Sequence, residues 1–211
     1  MGEDRESTEG DRIRQAAAGD EQAMQRLFAD NRPRLKRMVE LRLDRRVQGR
    51  VDASDVLQEA YIDLVQQLPG YSKDPNMPFF LWMRRITGQR LSKIHRKHLG
   101  AAKRNAAIEV GLWDGGMPEA SSFFLASKLI GQFTSAGAKA IRAERRLHLQ
   151  GILNEMSAQD REILALKHIE QLENSEIAVD LETTESNVRV RYFRALRRLR
   201  SEVEKSPGMF D

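Results

Sequence analysis

The sequence predicts an all-α protein: two small helical domains joined by a flexible linker, the second domain containing a helix-turn-helix. Three observations carry that expectation. No stretch alternates apolar and polar residues cleanly enough to be a strand, whereas apolar residues recur at helical spacing almost throughout. Charged residues make up 31% of the chain and aromatics 6%, which suits charged helices around modest cores better than a broad sheet. A stretch rich in Gly, Ser and Ala separates two periodic halves of the 211-residue chain.

Taken in order, residues 1–10 read as a disordered tail: five acids and one base fall within the first eleven residues, where a secretory signal would need a basic start and an apolar core. A first domain spans residues 11–99. It opens with helices through "AMQRLF" and "RLKRMVELRL", interrupted near Pro33, since proline fits best in a helix's first turn. Asp52 or Ser54 can cap the next helix, whose apolar stripe is Val56, Leu57, Ala60, Tyr61, Leu64 and Leu68. "LPGYSKDPNMP" follows as a loop of turn formers, and a long basic helix from Phe79 to about His98 closes the domain.

Residues 100–137 lack sustained periodicity and read as the linker. The second domain covers residues 138–206, and residues 207–211 form a tail. Ser157 and Asp160 are placed as a capping box for one of its helices. "NSEIAVDLETT" then supplies a short helix and tight turn ahead of a final helix. At about 100° per residue, Val188, Tyr192, Leu196, Leu199 and Val203 of that helix form one apolar stripe. Ser186, Arg189, Val190, Phe193, Arg194 and Arg197 cluster opposite. An aromatic among outward arginines suits the major groove of duplex DNA, where Arg reaches guanine edges and Val or Phe touches thymine methyls.

Charge is segregated into blocks. Residues 51–68 contain four carboxylates and no base, residues 75–108 contain eight Lys or Arg and no carboxylate, and residues 186–200 contain six Arg and no acid. Net charge is +4 and the pI is near 9.5, so the distribution matters more than the sum. Two basic patches far apart in sequence, the first behind an acidic helix, fit a nucleic-acid binder that also docks on a protein. With no cysteine, disulfide and thiolate chemistry are excluded and a cytoplasmic setting is expected. No apolar run approaches the ~20 residues of a membrane span, so no membrane insertion is expected.

Three motifs in order resemble a bacterial RNA polymerase sigma factor of the minimal, two-domain extracytoplasmic-function group, over about residues 11–205. "DASDVLQEAYIDL" is similar to that family's clamp-binding helix, D-x-x-D-L-x-Q-E, and "FFLWMRRITGQRL" to its promoter-melting helix. Residues 153–200, with E-I-A and V-R-x-R, resemble its fourth conserved region; Glu182 stands where the family often has Gly in the turn. The resemblance implies that Asp52, Asp55, Gln58 and Glu59 dock on core RNA polymerase. It implies that Arg84, Arg85, Arg90, Lys93, Arg96 and Lys97 hold phosphates of the melted promoter while the loop "GYSKDPNMPF" holds an unstacked base. Trp82 belongs either with that base or in the core beside Phe79 and Ile86. Ser186, Asn187, Arg189, Val190, Phe193, Arg194 and Arg197 would read duplex promoter DNA upstream. An anti-sigma protein is a further partner the family implies.

The same residues bear on other function classes. Asp52, Asp55, Glu59 and Asp63 could imitate a carboxylate metal site, but a metal needs ligands converging from more than one element. H-E-x-x-H, P-loop and G-x-S-x-G are all missing from the sequence, so no enzyme activity, metal or cofactor is expected. A helix-turn-helix regulator that binds duplex DNA without joining a polymerase is the competing reading; it has no use for a carboxylate-free stretch as long as residues 75–108.

Overall fold

In the computed structural model, which describes residues 3–99, 117–133 and 139–206, every regular element is an α-helix. Two compact units divide the chain. The first comprises residues 1–39 and 43–118, and the second residues 119–211 with 40–42. The remainder of the expected linker, the 207–211 tail and the basic residues Lys103 and Arg104 lie outside the described residues.

In the first unit, α1 (Glu3–Ala17) runs through most of the segment expected as a disordered tail. The helix packs on α3 (Ala53–Lys73). Gly19, at φ +104°, turns the chain into α2 (Glu21–Arg42), whose N-cap Asp20 accepts from the Gln22 and Ala23 amides at 2.9 and 3.1 Å. Arg12 ties α1 to Asp30 of α2 at 2.9 Å.

Both expected proline breaks are absent. α2 continues through Pro33, and α3 continues through Pro69 and Gly70, so the loop shrinks to residues 74–78. An internal proline costs about 3 kcal/mol by removing one helical hydrogen bond. Packing around each proline offsets that cost. Leu35, Met38 and Val39 are fully buried just beyond Pro33, and the Arg34 guanidinium lies 3.6 Å from the centre of the Phe80 ring. Past Pro69, Tyr71 stacks on Trp82 at 4.7 Å and its hydroxyl donates to the Met77 carbonyl at 2.8 Å, which fastens the last turn of α3. α4 (Phe79–Leu99) begins there, close to the expected bounds.

The second unit holds α5 (Ser122–Phe133), α6 (Lys139–Glu155), α7 (Ala158–His168), α8 (Asn174–Asp180) and α9 (Glu185–Glu204). α5 corrects the linker expectation. Leu125, Ala126, Leu129 and Ile130 are buried where it packs on α6, and Arg146 of α6 stands 4.8 Å over the Phe123 ring. Their i, i+1, i+4, i+5 spacing is a helical stripe, short enough to be hidden among Gly and Ser. Ser157 caps α7 by accepting from the Asp160 amide at 3.1 Å, while the Asp160 carboxylate pairs with Arg198 of α9. Arg161 donates to the Leu153 and Met156 carbonyls at 3.3 and 2.6 Å and so closes the end of α6.

α8 ends in a Schellman turn: Thr183 N–H donates to Ala178 O at 2.9 Å, and Glu182 N–H to Val179 O at 3.3 Å. Glu182 is thereby held at φ +48°, in the left-handed region that glycine prefers. The turn keeps its geometry with a strained side chain. Glu182→Gly should therefore raise stability by about 1 kcal/mol. Urea unfolding of the two chains checks this, and an unchanged or lowered midpoint would mean that the left-handed residue is not strained.

Two histidines, His95 buried and His168 half-buried, are held below their ordinary pKa. His95 Nε2 accepts from the Asp44 amide at 3.2 Å, and burial, its largest influence, holds its pKa below the ordinary value against the pull of Asp44, with Arg46 adding to the depression. Burial likewise lowers His168, which meets the Tyr192 hydroxyl at 3.0 Å, and Lys167 adds to the effect. With folded pKa values depressed, the unfolded chain takes up protons first. Stability should be fully present above about pH 6.5 and should fall as the pH drops below it. Melting temperatures at pH 7.5 and 5.5 test the slope, which the His95→Gln/His168→Gln double variant should flatten.

Candidate nucleic-acid interface

On α9, Thr184 Oγ1 accepts from the Asn187 amide at 3.2 Å and starts the helix. Val188 and Ala195 face inward and are buried, with Tyr192, Leu196, Leu199 and Val203 half-buried around them. Ala195, absent from the expected stripe, is small enough to let α9 approach its neighbours closely. Ser186, Asn187, Arg189, Val190, Phe193, Arg194 and Arg197 are all exposed, as is Arg191. Phe193 leaves 67% of its surface in solvent and Val190 44%. Two members of this set have contacts within the motif: Asn187 Nδ2 donates to Thr183 Oγ1 at 3.2 Å, and Arg189 pairs with Glu185 at 3.3 Å.

α4 divides its cations by direction. Arg85, Gln89, Lys93, Arg96 and Lys97 line one ridge, Gln89 partly covered and the four cations exposed. Arg84 is one residue, or about 100°, away from that ridge and only 2% exposed, so burial removes it from the expected phosphate set. It shares a packed side with Gly88, Ser92 and His95. The Met117 side chain lies where a Cβ on Gly88 would be, which accounts for glycine there. Trp82 is also corrected: it is buried between Tyr71 and Phe79, 4.7 and 5.6 Å from their ring centres, with no face open to a base. Arg90 points at α3 instead of solvent, placing Nε 2.7 Å from Asp63 Oδ2 and Nη2 on Oδ1.

α3 presents the acids. Asp52 Oδ1 accepts from the Ser54 and Asp55 amides at 2.6 and 2.9 Å, and Asp55 Oδ2 accepts from the Asp52 amide at 2.8 Å, a reciprocal capping box. Gln58 and Glu59 continue the exposed face, Glu59 reaching Arg90 at 3.4 Å. Ile62, 57% exposed, and Val65 extend it with apolar surface that the sequence reading passed over. Falling outside the stripe of Val56 to Leu68 was the available signal.

A sequence model described as "Sigma-70, region 4" matches residues 146–199, the stretch from α6 to α9. Along most of its length the chain is similar to SigD, an ECF RNA polymerase sigma factor of Mycobacterium tuberculosis and of Mycobacterium bovis. Identity is 28% over 193 residues, 90% of this chain and 82% of each relative. Residues 146–199 thus match a sigma-70 region 4, and over nine-tenths of its length the chain is similar to extracytoplasmic-function sigma factors. Its fold is shared with CnrH, solved in complex with the cytosolic domain of CnrY, at 17% identity and a TM-score of 0.55 over 94% of this chain and 98% of that one.

Among the described residues, no helix is long and apolar enough to cross a membrane, and no group of three or more His, Asp or Glu is arranged to hold a metal ion. The buried and exposed cations of α4 should separate experimentally. Arg84→Ala removes a fully buried side chain and should lower stability by about 2 to 3 kcal/mol, whereas Lys93→Ala, on the ridge, should stay within about 0.5 kcal/mol of the parent. Urea midpoints check both; equal effects would mean that Arg84 is not packed.

Proposed function

We propose that this sigma factor works in the cytoplasm through three helix faces, each on its own element. The acidic face of α3, with Asp52, Asp55, Gln58 and Glu59 beside Ile62 and Val65, docks on a basic surface of core RNA polymerase; its mixture of carboxylates and exposed aliphatic side chains supports this. The ridge of α4, with Arg85, Lys93, Arg96 and Lys97, follows the phosphates of separated promoter strands. The outward face of α9 lies in the major groove of the upstream promoter duplex. CnrH was solved with the cytosolic domain of CnrY, and a regulatory protein partner, an anti-sigma protein, belongs to this proposal for the present chain.

The observation that carries the reading is the α9 face. Phe193 and Val190 are held in solvent among Arg189, Arg194 and Arg197, on a helix whose opposite side is buried. Exposed apolar side chains ringed by cations match the floor and walls of a major groove, thymine methyls below and phosphates beside.

Selection of a promoter library with mutant holoenzymes tests it. Arg189→Ala and Phe193→Ala, near the end of α9 that would enter the groove, should alter the preferred upstream bases, each at a cost of about 1 to 3 kcal/mol in discrimination. Arg197→Ala, further along, should weaken all promoters alike and lower the salt slope by about one. Wild-type preferences at wild-type strength for the first two variants would overturn the duplex reading.

A further inference from the structure

The acidic face of α3 and the basic ridge of α4 meet at one side chain. Arg90 sends Nε to Asp63 Oδ2 at 2.7 Å, Nη2 to Asp63 Oδ1, and Nη1 toward Glu59 Oε2 at 3.4 Å. Asp63 is nearly buried, and Glu59, one turn earlier on α3, keeps half of its side chain in solvent. We propose that Arg90 is a positioning residue of the polymerase-docking face: anchored on Asp63, it orders Glu59 for the partner's cations and makes no contact with promoter DNA. The inference rests on the docking role proposed for α3.

Geometry and charge support it together. A guanidinium whose fork lies on one carboxylate while a third nitrogen faces another has its main donor edges occupied. To bind a phosphate it would have to leave Asp63 uncompensated in a nearly buried position. Glu59, Arg90 and Asp63 together keep a formal charge of minus one, so the docking face remains acidic while its glutamate is held. A free glutamate side chain loses rotamer freedom on docking. Ordering it beforehand lowers that cost.

The test uses the full chain, titrated with core RNA polymerase, together with the salt dependence of promoter binding by the assembled holoenzyme. Arg90→Lys keeps the cation but loses the fork, and Asp63→Asn removes the anchor. Each should weaken polymerase binding about three- to tenfold and leave the salt slope on promoter DNA unchanged. In a Glu59→Gln background, Arg90→Lys should produce no further loss of polymerase affinity, although its effect on the urea midpoint persists. Full additivity in that background would reduce Arg90 to a stabilising contact and overturn the inference. Wild-type polymerase affinity for Arg90→Lys, with a slope lowered by about one for Arg90→Gln, would make Arg90 a phosphate ligand and overturn it as well. Glu59→Gln alone separates the two levels: if it binds polymerase like the parent, the docking role of Glu59 fails and the clamp with it, whereas if it binds weakly and Arg90→Lys does not, only the clamp fails.

Discussion

Where α3 packs on α4, a helix rich in carboxylates has to lie against a helix rich in cations while both keep charged faces available to other molecules. The Arg90–Asp63 pair is the point at which this is reconciled. Asp63 lies on the packed side of α3, among Val56, Ala60 and Leu64, where an unpaired carboxylate would carry a heavy desolvation penalty. The bidentate guanidinium compensates it. Once that pair is formed, the remaining contact can be apolar, with Leu57, Leu64 and Leu68 buried on one helix and Met83, Ile86 and Leu91 on the other. Asp55 then points away from the interface, as do Lys93 and Arg96, while Glu59 stays half exposed beside Arg90.

The second unit meets a different demand, that of presenting one helix with a wholly exposed face. α7 and α8 both pack on α9, burying Val188 and Ala195, and the Arg198–Asp160 pair ties the flank of α9 to α7. Between α8 and α9 only residues 181–184 are available to reverse the chain. The Schellman turn achieves this with Glu182 forced to positive φ, and Thr184 caps α9 immediately after it. A motif this tight leaves little freedom in the angle at which α9 is offered to a groove.

What each side chain of this protein can reach accordingly depends on direction more than on residue type. Arg84 and Arg85 are neighbours in sequence and chemically identical, yet one is buried and the other exposed. Trp82 is likewise reassigned by direction: stacked with Tyr71 and Phe79, it secures the start of α4 beside the short loop and offers no ring to a base.

Much was legible in the sequence because helical periodicity alone determines it. The all-helical class, the caps at Asp52 and Ser157, the bounds of α4 and the outward set on α9 all follow from spacing of about 100° per residue and from local hydrogen-bonding chemistry. Tertiary structure decided the rest. Whether α2 and α3 tolerate Pro33 and Pro69 depends on packing elsewhere that offsets a lost hydrogen bond, and no local rule contains that term. The stripe of α5 becomes a helix because α6 covers it. On α4 the cations of a carboxylate-free run look alike until neighbours surround the helix on more than one side. Sequence records how many charges a helix carries and at which angles, but which angles meet a carboxylate, a wall of side chains or water is set only when the other helices arrive.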